Sequence, residues 1–506
     1  MLKRFFSLMT AAVLFSGVAS AQNASAPASS QAVKAKKKAP LATSCVVSVD
    51  AKDTQGEISP LLMGFNLVYA IEPDAFWSGG KIENLLKDLK CKLLRWPGGE
   101  VTSAYHWNNL ISAREMDTWN PKYKEQLVDQ SKIMDLEEYM THVRAIGCEP
   151  MVGVNMVSGF KYNRMQDGLN EAKALIQHCV DNKYNVKYWF LDNECYDPAP
   201  EDRQGSRIPE MTPEQYGECI NQYTAVLKSV DPNIKIIANW STGWNASWQK
   251  LLRVAGKNID IADFHMYWRF GGSSWELWLD ELMGPSKTMA RKDYQIIGEN
   301  SSYESVIRSF KKETKAQGYD IEVASMEWNV GPNPKLPLSE FQVGLMEAEE
   351  FGQFINAGMS MACLWPLHWP GDKNAASGAS SYRTMLDHET GEPRANYAMF
   401  KMYSDAMGQT LLGSKADAPE VYTVAAKSID GKSVILYLLR RTDEAPALKT
   451  TINLKNFAPA SAKAKCYNAK SVDLNKADVT ELPIQSLSPL TIDLPAHSFT
   501  QITLSQ

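Results

Sequence analysis

Between residues 56 and 408, short apolar runs alternate with longer stretches whose apolar residues recur every three or four positions. The short runs are typical of buried strands, and the longer spacing is typical of amphipathic helices. Strand-like runs occur at 62–66, 93–96, 150–155, 188–192, 235–239, 261–265, 322–326 and 361–365. Eight strands that alternate with helices predict an α/β fold, a (β/α)8 TIM barrel over residues 56–408.

After residue 408 the apolar runs become shorter and turn residues separate them, without a long helical pattern between them. The candidate strands are 421–427, 433–440, 449–454, 464–466, 490–494 and 498–504. This pattern predicts a C-terminal antiparallel β-sandwich over residues 409–506. The apolar segment 44–55 has no place in the barrel, so we expect this N-terminal strand to join the sandwich.

The N-terminus has the pattern of an export signal. Lys3 and Arg4 precede a mostly apolar stretch, and Ala-Ser-Ala at 19–21 fits the small-residue rule for cleavage. We therefore expect residues 1–21 to be a signal peptide and the protein to be secreted or periplasmic. Residues 22–43 are mainly Ala, Ser and Lys, which predicts a disordered linker. No later stretch has the length and apolarity of a transmembrane segment.

Charge and cysteine content narrow the function classes. The net charge of −5 argues against a nucleic-acid partner, which would favour a basic surface. The eight cysteines are scattered without a CxxC pair, so neither a zinc site nor a dense disulfide framework is indicated. Cys45 with Cys466 is one possible disulfide, and we expect buried free thiols elsewhere. We expect no cofactor.

Polar and aromatic residues lie at or just after the ends of nearly all the predicted barrel strands. In (β/α)8 barrels, functional side chains gather at the carboxyl ends of the strands. Candidates there are Asn66, Arg95, Asn155, Asn193, Glu194, His265, Tyr267, Glu327 and Trp365. Core packing does not explain so complete a ring, so we expect a functional site at this end of the barrel.

Two glutamates in this ring carry the predicted chemistry. Glu194 follows the strand 188–192, and Glu327 follows the strand 322–326 and opens a loop. Glycosidic cleavage needs one carboxyl group that protonates the leaving oxygen and a second that attacks the sugar or activates water. We predict Glu194 as the acid/base and Glu327 as the nucleophile. The sequence leaves retention and inversion open, because it does not give the distance between them.

The other ring members suggest supporting roles. Arg95 and Tyr267 could bond to Glu327, and Asn193 could bond to a sugar 2-hydroxyl. His265 fits substrate contact and barrel-core packing equally well. Flat aromatic faces can stack on sugar rings, although each could instead pack in the core. The candidate stacking residues are Trp107, Trp240, Trp328 and Trp365.

This combination of residues resembles clan A of the glycoside hydrolases. The clan has an Asn-Glu pair at strand four, a Glu at strand seven, an Arg at strand two, a His-x-Tyr element at strand six and a Trp at strand eight. The matching residues are Asn193, Glu194, Glu327, Arg95, His265, Tyr267 and Trp365. The resemblance implies a retaining mechanism with two glutamates, and it extends to the barrel and the sandwich.

Within the clan, two families share local motifs with the chain. Arg-Trp-Pro-Gly-Gly at 95–99 and Tyr-His-Trp at 105–107 are similar to glycoside hydrolase family 51, the α-L-arabinofuranosidases. Leu-Asp-Asn-Glu at 191–194 is similar to family 44, the endo-β-1,4-glucanases and xyloglucanases. Asp192 replaces the Gly that is usual in family 51, and Cys195 replaces the Pro that is typical of family 44.

Several functions therefore remain open. The first is hydrolysis of plant-type or algal polysaccharide, either endo-β-glycanase-like or α-L-arabinofuranosidase-like. The alternative is a non-catalytic carbohydrate-binding barrel. A metal-dependent hydrolase would need several His and Asp at strand ends, where only His265 and His368 are available, so we expect no metal. The expected partner is an oligo- or polysaccharide, and the oligomeric state stays open.

Overall fold

A computed structural model describes residues 41–108, 117–120, 134–196, 211–285, 302–332, 338–370, 383–443 and 445–506 of the 506. The predicted signal peptide and most of the predicted linker lie outside these ranges. Within them, no helix combines the length and the apolar character needed to cross a bilayer.

The first strand, β1 (Ser44–Glu57), belongs to a separate sheet, and the next eight strands close a parallel barrel in chain order. The barrel strands are β2 (Gly64–Asn66), β3 (Leu93–Trp96), β4 (Glu149–Val154), β5 (Tyr188–Leu191), β6 (Lys235–Asn239), β7 (Ile261–Trp268), β8 (Glu322–Val330) and β9 (Met361–Leu364). The predicted barrel is confirmed. β7 and β8 run further than expected, so Tyr267 and Glu327 lie within strands, and the prediction that Glu327 opens a loop is wrong.

Helices connect the strands and cover the outside of the barrel. They are α1 (Asp74–Trp77), α2 (Lys81–Asp88), α3 (Leu136–Ile146), α4 (Val157–Lys161), α5 (Met165–Asp181), α6 (Pro213–Lys228), α7 (Ala246–Ala255), α8 (Trp275–Asp280), α9 (Tyr303–Ala316), α10 (Glu340–Asn356) and α11 (Ala395–Tyr403). Capping boxes start α3, α6 and α10, where a side chain at the N-cap and one three residues later satisfy backbone N–H groups.

Side chains on the barrel strands separate into two layers, because successive residues of a strand face opposite sides. Residues such as Met151, Phe190, Ala324 and Met326 fill the interior of the barrel. Residues on the other face pack against the helices in the larger core. The interior core therefore supports the carboxyl ends of the strands from below.

The second sheet contains ten strands in the order β15-β14-β18-β12-β11-β10-β1-β13-β17-β16. Its further members are β10 (Thr410–Ala416), β11 (Val421–Lys427), β12 (Ser433–Arg440), β13 (Leu448–Lys455), β14 (Ser461–Asn468), β15 (Asp478–Leu482), β16 (Ile484–Leu487), β17 (Leu490–Leu494) and β18 (Ser498–Ser505). The N-terminal strand joins this sheet as expected, antiparallel to β10 but parallel to β13. All eight cysteines are free, so the Cys45–Cys466 disulfide is wrong.

Candidate active site

A β-bulge lies in β8 immediately before Glu327. Asp263 of β7 pairs with Ala324, and His265 pairs with Glu327, so three residues of β8 span the space of two on β7. The pairing with β9 skips in the same place, between Ser325 and Trp328. A bulge changes the direction of the side chains that follow it. Glu327 consequently joins the polar residues at the barrel mouth instead of facing the helices.

Side chains of neighbouring strands hold this bulge in place. The Met326 N–H donates to Asp263 Oδ1 at 2.7 Å, and Asn66 Nδ2 donates to the Met326 carbonyl at 2.7 Å. Ser325 Oγ donates to the Phe264 carbonyl at 2.7 Å. Buried backbone groups require such partners when a strand leaves its regular pairing. Asn66, which we predicted as a substrate contact, therefore supports the strand that carries Glu327.

Two donors bind the Glu327 carboxylate. Arg95 Nη1 donates to Oε1 at 2.9 Å, and the Tyr267 hydroxyl donates to Oε2 at 2.8 Å. Arg95 is fully buried and also donates to Asn66 Oδ1 at 3.0 Å and Asn193 Oδ1 at 2.8 Å. Burial and the nearby Glu327 carboxylate raise the pKa of Tyr267 well above its usual range, so Tyr267 keeps its proton and donates. Each oxygen of the Glu327 side chain therefore accepts a hydrogen bond from one of these two donors.

A left-handed turn after β5 presents Glu194. Asp192 has φ 62° and Glu194 has φ 46°, a region that residues with a Cβ rarely adopt. The buried Asp192 carboxylate accepts from the N–H groups of Met156 at 2.8 Å and Val157 at 2.7 Å, which ties this turn to α4. Burial raises the pKa of Asp192. Asp192 thus stabilises the turn. Its positive φ is a conformation that glycine adopts readily, and Gly is the usual residue at this position in family 51.

Glu194 is held by its backbone and its side chain. Its N–H donates to Asn239 Oδ1 at 2.8 Å, and its Oε1 lies 2.8 Å from His265 Nδ1. The Tyr196 hydroxyl donates to the same oxygen at 3.3 Å. The Glu194 side chain is 24% exposed, compared with 8% for Glu327. Solvent therefore reaches Glu194 more easily than Glu327.

His265 lies between the two glutamates. Its Nδ1 is 3.6 Å from Glu327 Oε2, and its Nε2 is 3.2 Å from Asp263 Oδ2. Burial would lower the pKa of His265, but the carboxylates of Glu327, Asp263 and Glu194 outweigh burial and raise it to about 10. His265 is therefore protonated at neutral pH. One oxygen of each glutamate and one His265 nitrogen all lie within 4.8 Å of one another.

These three residues are close enough together to surround a metal ion, but their chemistry does not favour one. A histidine ligand must be neutral to bind a metal, whereas His265 is protonated. The buried Arg95 also places a positive charge 2.9 Å from Glu327. The cluster suits proton transfer and nucleophilic attack better than cation binding.

Two of the predicted stacking residues are core residues. Trp328 is fully buried, and its ring packs against Phe351 and Phe354, because the bulge turns it toward the helices. Trp240 is 1% exposed and stacks on Tyr216 with ring centroids 5.3 Å apart. Neither ring has a face available to a sugar, so both predictions are wrong.

Two further predicted residues make their recorded contacts with residues other than the two glutamates. Trp107 donates to the Glu171 carbonyl at 3.2 Å, and its ring lies 5.0 Å from that of His178. Asn155 donates to Ser158 Oγ at 2.8 Å, which ties the loop after β4 to α4. Among the described residues, neither Trp107 nor Asn155 has a recorded contact with Glu194 or Glu327.

Trp365 does lie beside the nucleophile candidate. A Cβ added to Gly99 would lie 2.5 Å from Glu327 Oε1 and 2.9 Å from the Trp365 ring, so the two side chains flank the same space. The Trp365 side chain is partly exposed. Gly99 leaves this space open, and Trp365 retains a position from which it can contact a sugar.

Sequence reasoning missed Asp263 and Asn239 as parts of this site. Asp263 shares one face of β7 with His265 and Tyr267, a period-two pattern that marks a common side of a strand. Asn239 ends β6 in the same way that Asn66 ends β2. The sequence contains both of these patterns, but it does not show the bulge that gives Asp263 its role.

Part of the chain is similar in sequence to known arabinofuranosidases. Residues 85–274 match the family described as the alpha-L-arabinofuranosidase 1 domain. An alpha-L-arabinofuranosidase C from Emericella nidulans is 28% identical over 211 residues, which are 36% of this chain and 38% of that protein. The match thus spans about a third of the length of these curated relatives, between 32% and 38%.

Solved structures share the fold along nearly the whole chain. A family 51 α-L-arabinofuranosidase from Thermotoga petrophila is 20% identical with a TM-score of 0.67, and the match covers 91% of this chain and all of that one. A family 44 xyloglucanase from Paenibacillus polymyxa is 13% identical with a TM-score of 0.59, covering 92% and 100%. The chain resembles clan A glycoside hydrolases of families 51 and 44.

Proposed function

We propose that this chain is a retaining glycoside hydrolase in which Glu194 is the acid/base and Glu327 is the nucleophile. The observation that carries the proposal is the short gap between them, since one oxygen of each lies within 4.8 Å of the other. Retaining enzymes hold their carboxyl groups about 5–5.5 Å apart, and inverting enzymes roughly 6.5–9.5 Å apart. The observed gap supports direct attack on the sugar.

In the first step, a Glu327 oxygen attacks the anomeric carbon while the glycosidic C–O bond breaks. Glu194 gives its proton to the leaving oxygen, and an ester joins the sugar to Glu327. In the second step, Glu194 takes a proton from water, and the water oxygen displaces Glu327 from the anomeric carbon. Two inversions retain the configuration, and Arg95 and Tyr267 stabilise the carboxylate that is released.

We infer that the sugar is held partly by the residue next to the acid. The buried Nδ2 of Asn193 has no hydrogen-bond partner within the described ranges, while its Oδ1 accepts from Arg95. An amide fixed at one end can donate from the other. This supports the predicted contact from Asn193 to a sugar 2-hydroxyl, a contact that strengthens in the transition state.

The proposed substrate is an α-L-arabinofuranoside in plant-type or algal polysaccharide. The family match supports it, because residues 85–274 include Arg95, Glu194 and His265. The second candidate is an endo-β-glycanase, supported by the fold shared with family 44 and by Asp192 in place of the Gly of family 51. A carbohydrate-binding barrel without turnover is the remaining alternative. The pattern of residues 1–21 supports export of the enzyme.

A substrate panel with two matched variants tests this proposal. The panel contains aryl α-L-arabinofuranoside, arabinan, arabinoxylan, xyloglucan and β-1,4-glucan. We expect turnover by the natural sequence and a loss of roughly 1,000-fold or more in Glu327→Gln. Glu322→Gln, the same change at the exposed start of β8, should keep its activity. Sugar binding without any turnover would contradict the proposal and favour the binding barrel.

A further inference from the structure

Asp263 lies behind the two glutamates without contacting either one. The side chain is buried within the barrel and 1% exposed. Its Oδ1 accepts from the Met326 N–H at 2.7 Å, and its Oδ2 accepts from Asn239 Nδ2 at 2.9 Å. The second oxygen is also 3.2 Å from His265 Nε2. One carboxylate thus connects β6, β7 and β8.

The contact with Met326 connects Asp263 to Glu327. Met326 lies in the bulged part of β8, directly before Glu327, where the regular pairing with β7 is interrupted. Asp263 supplies the acceptor for its N–H. Without this acceptor, a regular β8 would be favoured, and a shift of one residue would turn the Glu327 side chain to the other face of the sheet.

Two contacts connect Asp263 to Glu194. Asn239 forms the first connection, because its Nδ2 donates to Asp263 Oδ2 at 2.9 Å and its Oδ1 accepts from the Glu194 N–H at 2.8 Å. His265 forms the second connection, with one ring nitrogen beside Asp263 and the other 2.8 Å from Glu194 Oε1. The backbone and the side chain of Glu194 are both reached in this way.

We propose that Asp263 is a positioning residue that fixes the spacing of Glu194 and Glu327, through the β8 bulge on one side and through Asn239 and His265 on the other. The proposal rests on the function proposed above. A carboxylate is required because Asp263 accepts hydrogen bonds from two N–H groups at once. An amide would turn an N–H toward one of them.

Asp263→Asn tests the proposal against Asp260→Asn. Asp260 precedes β7 at its opposite end and pairs with Lys235 at 3.1 Å, away from the glutamates. We expect Asp263→Asn to lower kcat about 100-fold with KM within about threefold, because misplaced catalytic groups affect the reaction more than binding. Asp260→Asn should keep the natural kcat. A kcat for Asp263→Asn within threefold of the Asp260→Asn value would overturn the proposal.

The ionisation of His265 gives a second readout, measured where the variant is folded, because unfolding would also remove His265 from its neighbouring carboxylates. Removing the Asp263 charge should lower the pKa of His265 from about 10, which adds an alkaline ionisation to the pH profile of kcat. The ring ¹⁵N shifts of labelled histidine, assigned with His265→Gln, report the same change without substrate. An unchanged His265 titration in Asp263→Asn would overturn this part of the proposal. If no glycoside is turned over, the proposed function fails. A lowered His265 pKa in Asp263→Asn would still support the contact between Asp263 and His265.

Asn239→Ala serves where Asp263→Asn does not fold. It removes the support of the Glu194 backbone and leaves the contact between Asp263 and Met326 in place. We expect a larger loss of kcat for glycosides with poor leaving groups, which depend on the acid, than for activated aryl glycosides. An equal loss for both kinds of substrate would overturn the connection to Glu194.

Discussion

His265 and Glu327 are register partners on β7 and β8, although two positions earlier Asp263 pairs with Ala324, three residues before Glu327. The extra residue in β8 brings Glu327 to the mouth of the barrel, where His265 lies within 3.6 Å of it and 2.8 Å from Glu194. The proposed catalytic pair therefore depends on an irregular strand, and side chains from neighbouring strands keep that strand irregular.

A small anion should restore part of the activity that is lost when the acid/base is removed. Glu194→Ala leaves Arg95 and Tyr267 on Glu327, so activated aryl glycosides should still form the ester. The second step then lacks its base, and azide should restore part of the rate because it needs none. The measurement is the azide dependence of kcat, with identification of a glycosyl azide of retained configuration. Absence of both rescue and azide product would count against Glu194.

A single methyl group at Gly99 should disable the site. Its Cβ would lie 2.5 Å from Glu327 Oε1, which is closer than non-bonded atoms approach, so the carboxylate or Trp365 must move. We expect Gly99→Ala to lower kcat/KM by about 100-fold, as other misplacements of reacting groups do. Gly272→Ala is the control, since its Cβ would meet nothing within 4 Å. Equal activity of the two variants would show that Gly99 tolerates the methyl group.

Trp328 within β8 and Trp365 just after β9 should respond to substitution in opposite ways. Trp328→Ala removes a fully buried ring and should lower the free energy of unfolding by about 3–5 kcal/mol, with KM unchanged. Trp365→Ala should raise KM several-fold and destabilise the protein less, because its ring is partly exposed beside Glu327. Urea unfolding and steady-state kinetics measure both. A raised KM in Trp328→Ala would contradict its assignment to the core.

The buried Glu347 on α10 should make stability depend on pH. Burial raises its pKa from 4.5 to about 8, although a hydrogen bond from Asn396 opposes the change. Between pH 4.5 and about 8, Glu347 holds its proton in the folded state but not in the unfolded state. The contribution of Glu347 to the free energy of unfolding therefore falls as the pH rises through this window and is constant outside it. Unfolding curves of the natural protein and Glu347→Gln should therefore diverge across the window, with Gln favoured at high pH. Parallel curves would contradict the prediction.

The sequence predicts the architecture well because strand burial is local information. The runs 93–96 and 235–239 coincide with β3 and β6, since each contains a short apolar stretch beside polar residues. Strands with weaker patterns were missed. β15, for example, consists of Asp478–Leu482 and is largely exposed, so its residues lack the apolar alternation that identifies a strand.

The site is only partly predictable from the sequence, since it depends on contacts between distant residues. The ring of strand ends identifies Arg95, Tyr267 and the two glutamates, which the structure brings together. The error at Trp328 has one physical cause. A bulge stabilised by Asp263 moves the side chains that follow it to the opposite side of the sheet. No local pattern in the sequence of β8 indicates this bulge.

Covalent trapping tests the central assignment most directly. An activated 2-deoxy-2-fluoro-α-L-arabinofuranoside, or the corresponding derivative of whichever sugar is turned over, should form the ester and release it slowly, because the fluorine destabilises both transition states. Peptide mass spectrometry of the inactivated enzyme should then place one sugar on Glu327. A sugar attached to any other residue would contradict the account.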